Sequence, residues 1–200
     1  MEGVTMNLRV AILPLCVLWM AGCSEKHKEP DFRNTNWGIT SEQVRMLESA
    51  RLVLDNGKML SYEGMVAGLP CQIVYIFINN QLVNGHYFFK SPQGDDKAPI
   101  QSYDRLKTAV SEKYGTPVLD DAKWKSDTYK GQSDKVGLAI KSGQLSLATE
   151  WETSSTEVWL FLTGENSQIK LSMKYVSKLL GGLTEEDKEE ELPEPKSTEF

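Results

Sequence analysis

Residues 71–78, with the sequence CQIVYIFI, are the segment that most restricts the possible folds. Apolar side chains occupy both alternating positions of this run, so a strand formed here has two apolar faces and must be covered on both. Gly68 and Pro70 precede the run, and Asn79 and Asn80 follow it, which suits a tight hairpin because Asn tolerates positive φ. The pattern predicts a sheet in which residues 71–78 form a central strand.

Two helices are predicted from caps and apolar spacing. Thr40 and Gln43 have the spacing of a capping box. Apolar residues then recur at helical intervals, which predicts a helix from residue 41 to about residue 56: Val44, Leu47, Ala50 and Leu54. Similar spacing predicts a second helix over residues 102–114, which Gly115 and Pro117 should end.

Five further strands are predicted, at residues 59–66, 81–90, 144–152, 156–163 and 168–177. Residues 116–135 carry no clear pattern, and residues 136–141 are ambiguous. The order of elements predicts one α+β domain over residues 36–180, with helices packed on a mainly antiparallel sheet and two αβββ-like halves. Two separate small sheets are the alternative.

The N-terminal region has the features of a signal peptide. Residues 10–20 are an apolar run that follows Arg9 and is too short to cross a bilayer as a helix. Met6 is the more natural start, because Glu2 would place a negative charge where a signal peptide is positive. Two small residues, at positions 21 and 22, then precede Cys23. We therefore expect residues 1–22 to be a cleaved signal peptide.

This run of an apolar residue, two small residues and a cysteine resembles the lipobox of bacterial lipoproteins. The resemblance implies cleavage before Cys23, a diacylglycerol on its sulfur and an acylated new amino terminus. Several acyl chains make a lasting membrane anchor. Cys23 is thus the expected lipid attachment site, and residues 23–35 the tether to the domain. The alternative is a plain secretory peptide that leaves Cys23 as a free thiol.

The same resemblance implies a location. Ser24, and not Asp, follows Cys23, which in many Gram-negative bacteria sends a lipoprotein to the outer membrane, facing the periplasm. In a Gram-positive cell the same anchor would hold the domain on the outer face of the cytoplasmic membrane.

Residues 181–200 are predicted to be an acidic disordered tail. Eight acidic residues and two lysines give this tail a charge of −6, which equals the net charge of the whole chain. Together with Pro193 and Pro195, this composition cannot bury enough apolar surface to order the segment. The rest of the chain carries no basic stripe, so a nucleic-acid partner is not expected.

Residues 38–47, GITSEQVRML, are similar to the G-M-T-x-x-Q-V-x-x-L start of small BamE/SmpA-like lipoproteins. The resemblance implies helices packed against an antiparallel sheet and a role in outer-membrane protein assembly.

The sequence offers no recognisable catalytic or metal motif. The zinc pattern H-E-x-x-H, paired C-x-x-C, the G-x-S-x-G elbow and the phosphate-binding Walker loop are all absent from it. The aspartate pairs at 95–96 and 120–121 lack the alternating oxygen spacing of a calcium loop. We therefore predict no catalytic residue, no metal site and no cofactor.

The isolated cysteine and histidines are also given structural roles. Cys71 begins a strand and should behave as a small hydrophobe, because no histidine is placed near it in sequence. His86 lies in the middle of a predicted strand, and His27 lies in the tether. Trp37 is expected to cover the start of the first helix, with ligand stacking as the alternative.

Two function classes remain. The first is a non-enzymatic envelope lipoprotein that binds another protein or contributes to envelope assembly, which predicts an exposed apolar patch or an open sheet edge. The second is a periplasmic small-ligand-binding module or cryptic hydrolase, which predicts a concave site near Trp124 and Tyr129.

Overall fold

The structure is a computed structural model that describes residues 29–90 and 96–182. The predicted signal peptide, Cys23 and residues 183–200 of the predicted tail lie outside these ranges. In chain order the elements are α1 (Ser41–Leu47), β1 (Arg51–Asp55), β2 (Met59–Val66), β3 (Leu69–Ile78), β4 (Gln81–Phe89), α2 (Ala98–Tyr114), β5 (Leu119–Trp124), α3 (Val136–Lys141), β6 (Leu145–Glu152), β7 (Thr156–Glu165) and β8 (Gln168–Ser177). A short 3-10 turn, Ser133–Lys135, leads into α3.

All eight strands form one antiparallel sheet in the order β1-β2-β3-β4-β8-β7-β6-β5. Strands β4 and β8 join its two parts, with His86 opposite Lys174. The prediction of an α+β domain with helices on a mainly antiparallel sheet is therefore confirmed. The alternative of two separate sheets is wrong, because the β4–β8 pairing makes the sheet continuous.

The helices cover one face of the sheet, which we call the core face. Tyr103 of α2 and Thr149 of β6 share a hydrogen bond of 2.6 Å between their hydroxyls. α3 crosses the same face so closely that a Cβ built on Gly164 of β7 would lie 1.7 Å from the carbonyl oxygen of Ile140. Only a glycine fits at this crossing. Side chains of α2 and of the inner strands of the sheet meet in this core, among them Leu60, Tyr75, Leu106, Trp151, Leu160 and Met173.

Strand β3 has the interior position that its sequence predicts, since it pairs with β2 on one side and β4 on the other. Ile73, Tyr75 and Phe77 point into the core, and Val74 is buried on the opposite face. The hairpin to β4 turns at Asn79 and Asn80, which have φ values of 51° and 58°.

The first helix is shorter than its periodicity predicts. α1 ends at Leu47, and the backbone of Glu48 is extended with ψ of 124°. Residues Arg51–Asp55, expected to be the last turns of the helix, instead form β1 against β2. Local spacing was misleading here because cross-strand pairing and contacts to Glu48 outweigh the helical preference.

Part of the predicted tether belongs to the folded domain. Residues 31–35 form a tight turn with a backbone bridge between Phe32 and Thr35. The ring of Phe32 is buried against Tyr75, Tyr87 and Tyr175, with centroids 5.0–5.2 Å apart. A polar-looking stretch thus contributes one aromatic side chain to the core, and the packed domain begins at Asp31 and not at residue 36.

The unplaced region between residues 116 and 143 contains two elements. β5 (Leu119–Trp124) adds to the far edge of the sheet beside β6, and α3 resolves the ambiguity at residues 136–141 as a helix. The sheet therefore has eight strands and not six. β5 lacked a strand signal because its five residues from Leu119 to Lys123 are exposed, so no apolar alternation was needed.

Candidate functional site

The open edge formed by β1 exposes apolar side chains. Leu52, Val53 and Leu54 are 42%, 41% and 39% exposed, although all three belong to a strand of the sheet. β1 is an end member of the strand order, so the backbone groups on its outer side have no strand partner in the described sheet. A strand edge of this kind can accept another strand.

The end of α1 adds two more apolar side chains beside this edge. Met46 is 78% exposed and Leu47 is 49% exposed. An ion pair between Arg45 of α1 and Asp55 of β1 holds the helix and the strand side by side. We call Met46, Leu47, Leu52, Val53 and Leu54 together the β1 surface.

Charges at the border of the β1 surface are paired within the domain. Arg51 and Lys90 both contact the carboxylate of Glu63, and Asp55 contacts Arg45. The opposite edge differs, because its strand β5 carries three charged side chains among six residues: Asp120, Asp121 and Lys123. Charged side chains discourage the pairing of an edge with another chain. Of the two edges, β1 is therefore the one suited to binding.

A buried carboxylate fixes the backbone between α1 and β1. The side chain of Glu48 is only 2% exposed. Its Oε2 accepts hydrogen bonds from Arg33 Nε and Tyr75 Oη, each 2.6 Å long, and its Oε1 accepts from Arg33 Nη2 at 3.0 Å and from the Ala50 amide at 2.9 Å. Four donors thus satisfy one buried charge, and they bring the N-terminal turn, the end of α1 and β3 together.

These contacts keep Glu48 ionised. Burial alone would raise the pKa of Glu48, but the hydrogen bonds from Arg33 and Tyr75 outweigh burial, so the pKa is lowered. Burial and the adjacent Glu48 both raise the pKa of Tyr75, which therefore remains a hydrogen-bond donor. The cluster joins the N-terminal turn, the end of α1 and β3, and in this way it positions the β1 surface.

Cys23 and His27 lie outside the described residues. Cys71 is buried at the start of β3, and burial raises the pKa of its thiol to about 11. A thiol that is neutral at physiological pH and closed to solvent is a poor nucleophile. His86 is a buried mid-strand residue of β4, as its sequence position indicated.

The tryptophans predicted to be of interest pack against the core. Trp37 is half-buried, with its Nε1 donating to Thr156 Oγ1 at 2.9 Å, and its ring stacks on Phe32. Trp124 and Tyr129 are partly buried against the core cluster. A hollow of about 400 Å³ lies elsewhere, between the end of β4 and the first turn of α2, with Phe89 and Pro99 in its wall.

Two of the aspartates from the pairs at 95–96 and 120–121 have protein partners, and Asp120 lies on β5 and not in a loop. Asp96 accepts from Lys141 at 3.0 and 3.2 Å, while Asp95 lies outside the described residues. Asp120 accepts from Thr149 Oγ1 at 3.0 Å and pairs with Lys107, whose hydrogen bond lowers the pKa of Asp120. Within residues 29–90 and 96–182, no group of three or more His, Cys, Asp or Glu residues has the geometry of a metal site.

None of the helices in the described part of the chain is long and apolar enough to cross a membrane. Comparison with models of protein families, with curated proteins and with solved structures gives no match to this chain. The geometry of the domain therefore carries the functional argument. Sequence reasoning missed the β1 surface because Leu47 and Leu54 were assigned to the buried side of a longer helix that also spanned residues 52 and 53.

Proposed function

We propose that this protein is a membrane-anchored envelope lipoprotein without enzymatic activity, which binds another envelope protein through the β1 surface. The observation that carries the proposal is the exposure of three consecutive apolar side chains, Leu52, Val53 and Leu54, on an open sheet edge. Isolated exposed apolar residues are common on any protein, whereas three consecutive ones on an open edge strand, with two more at the end of the adjoining helix, favour an interface.

The partner that suits this surface is an extended apolar segment. Such a segment would use the free N–H and C=O groups of β1 and cover its apolar side chains, as in other cases of strand addition. The register between β1 and β2 shifts at Val53, which forms a bulge. Since a bulge interrupts regular pairing, side-chain packing on the exposed apolar residues of β1 would supply much of the recognition.

The anchor in this proposal is Cys23, acylated as in bacterial lipoproteins, with residues 24–30 as the spacer to the folded domain. Membrane attachment, the predicted signal peptide and an outer-membrane location facing the periplasm all rest on the lipobox resemblance. Mass spectrometry of the N-terminal peptide tests the anchor. The expected result is a diacylglyceryl-modified, palmitate-bearing Cys23 in membranes and loss of membrane attachment in Cys23→Ala.

Photo-crosslinking tests the interface. A photoreactive amino acid at Val53 of the full-length, membrane-attached protein should give one discrete crosslinked product that mass spectrometry identifies as an envelope protein. Val118, which is 59% exposed beside the β5 edge, is the matched control position and should give no such product. The same product from both positions, or none from Val53 in cells that express the protein at its natural level, would contradict the proposal.

We further propose that the domain consists of two αβ-type halves. The order supports this reading: α1 precedes β1–β4, α2 precedes β5–β8, and the last strands of the two sets pair in the middle of the sheet. Superposition of residues 41–89 on residues 98–177 tests it, because a shared origin requires the equivalent strands to align in the same order and direction.

A further inference from the structure

The face of the sheet opposite the helices carries aromatic side chains on its central strands. Because strand residues alternate between faces, Phe88 of β4 and Phe161 of β7 lie on this side, both in register with Ser172 of β8. Two residues along each strand, His86 and Trp159 are both in register with Lys174. We call the following six residues of this side the aromatic face: Asn84, His86, Phe88, Trp159, Phe161 and Lys174.

The aromatic side chains on this face are arranged as two flat pairs. Trp159 and Phe161 are nearly parallel, with ring centroids 5.5 Å apart and an interplanar angle of 4°. His86 and Phe88 are stacked at 5.7 Å and 26°. Trp159, Phe161 and Phe88 are each half-buried, so part of each ring still meets solvent. The pairs stand on either side of β8, at a separation of about two strand spacings, roughly 9.5 Å.

Two polar groups at the floor of this face lack partners. Asn84 and His86 are 7% and 8% exposed, and neither Asn84 Oδ1 nor His86 Nε2 has a hydrogen-bond partner in the described structure. They are residues i and i+2 of β4 and therefore point to the same side. A buried polar atom without a partner costs about 1–3 kcal/mol. A ligand that carries both donors and acceptors would recover this cost at both atoms.

The imidazole of His86 is neutral. Burial lowers its pKa to about 3, with a further contribution from the charge of Lys174. A neutral imidazole offers one donor and one acceptor nitrogen. Lys174 itself is half-buried, and no ion pair to it exists among the described residues. The face thus combines acceptors, a donor and an unpaired ammonium group with flat apolar rings.

We propose that the aromatic face binds a polysaccharide. A sugar hydroxyl both donates and accepts, so neighbouring hydroxyls could donate to Asn84 Oδ1, pair with His86 Nε2 and accept from the Lys174 ammonium. The flat C–H face of a pyranose ring packs on an aromatic ring, as an apolar surface does. Lys174 lies opposite His86 in the strand register, so its ammonium is placed to contact the same sugar as the imidazole.

A protein partner fits this face less well. An apolar protein surface would cover the rings but leave Asn84 Oδ1 and His86 Nε2 buried without partners, which preserves their cost. A hydroxyl-rich ligand removes that cost and uses the rings as well. This inference is independent of the β1 surface, which lies at the edge of the sheet.

The experiment measures retention of the full-length protein on four probes: insoluble peptidoglycan, insoluble chitin, and gels containing soluble mixed-linkage β-glucan or hydroxyethyl cellulose. The protein is kept in a detergent without a sugar headgroup, because a glycosidic detergent would compete. The expected result is retention on at least one glycan, weakened about tenfold in both Trp159→Ala and Lys174→Ala, equal to about 1.4 kcal/mol. Trp124→Ala, a half-buried tryptophan on β5, is the matched control and should bind as well as the natural protein.

Asn84→Leu separates a ligand contact from a structural one. Replacement of an unpaired buried amide by an apolar group should leave the thermal stability unchanged or raise it, while glycan retention falls about tenfold. Retention on none of the four probes would overturn the proposal. Retention that is unchanged in Trp159→Ala and Lys174→Ala would also overturn it. A protein that binds the aromatic face and is not displaced by any of the glycans would do the same.

Discussion

Arg33, in the N-terminal turn, forms a two-pronged ion pair with Glu48 at the end of α1, with Nε–Oε2 and Nη2–Oε1 distances of 2.6 and 3.0 Å. The contact joins a segment that reads as a polar linker to the point where a helix changes into an edge strand. Met46 and Leu47 of the β1 surface lie just before Glu48, and strand β1 begins three residues after it, so the position of the surface depends on this pair.

Loss of Glu48 should destabilise the domain strongly. In Glu48→Ala, Arg33 and the Tyr75 hydroxyl lose their acceptor in a buried environment, and the removal of one partner from a buried ion pair typically costs about 3–5 kcal/mol. Because Arg33 retains 21% exposure, we expect the lower end of that range. Chemical denaturation of the full-length protein measures it.

Glu42→Ala is the control for this prediction. Glu42 lies on the same helix and contacts Arg45, but it is exposed. Substitution of an exposed residue usually changes the free energy of unfolding by less than about 0.5 kcal/mol. If both variants unfolded at the same denaturant concentration, the buried pair would have no special structural role.

The protein should lose stability as pH falls from 7 to 5, because of His86. Its pKa in the folded state is about 3, against an ordinary value of 6.5, so the unfolded chain binds a proton in this window and the folded chain does not. The contribution of His86 to the free energy of unfolding is fully present above pH 6.5 and declines as pH falls toward 3. One such proton corresponds to a loss of about 2 kcal/mol between pH 7 and pH 5.

His86→Leu tests the assignment, because leucine does not titrate. The denaturation midpoint of the natural protein should fall relative to that of His86→Leu as pH falls from 7 to 5. Glu48, whose pKa is lowered, contributes only at more acidic pH, since its stabilisation is complete above its ordinary value of 4.5. An identical slope in the two proteins between pH 7 and pH 5 would show that His86 is not the group responsible.

The sequence predicts the sheet better than it predicts the edges. β3 and β8 were recognisable because burial imposes a pattern on their sequences. In β3, apolar residues occupy both sets of alternating positions. In β8, they occupy one set: Ile169, Leu171, Met173 and Tyr175. β1 and β5 carry no such pattern, because edge strands are solvated on more sides. Leu47 and Leu54 then matched a helical spacing by coincidence, and the β1 surface was missed.

Long-range contacts account for the other differences. No local signal shows that Phe32 reaches Tyr75 and Tyr175, which lie far away in the chain. The aromatic face is equally invisible in sequence, because it depends on β4 and β7 both flanking β8 in a fixed register. Each of its residues can be read from the sequence, but only the strand order shows that they lie together.

A methyl group at Gly164 should not fit. A Cβ at this position would lie 1.7 Å from the Ile140 carbonyl oxygen and 2.7 Å from its carbon, both backbone atoms of α3. α3 would have to move off the sheet and expose part of the core, so Gly164→Ala should destabilise the protein by about 3 kcal/mol or more, at the upper end of overpacking costs. Gly182→Ala, with open space around the new methyl, is the control. Thermal unfolding that is the same in both variants would place α3 farther from β7 than the structure does.

Cys71 should be unreactive in the folded protein. Its thiol is 1% exposed on the core face of β3, and burial raises its pKa to about 11, so both access and thiolate formation oppose alkylation. In a Cys16→Ser/Cys23→Ser background, which leaves Cys71 as the sole thiol, iodoacetamide at pH 8 should label the native protein at least a hundredfold more slowly than the denatured protein, with intact mass as the readout. A Cys71→Ser/Met65→Cys variant in that background places the thiol on the exposed end of β2 and should react at nearly the denatured rate. Rapid labelling of native Cys71 would mean that the end of β3 opens readily, and the N-terminal turn around Phe32 would then be the first place to look for the opening.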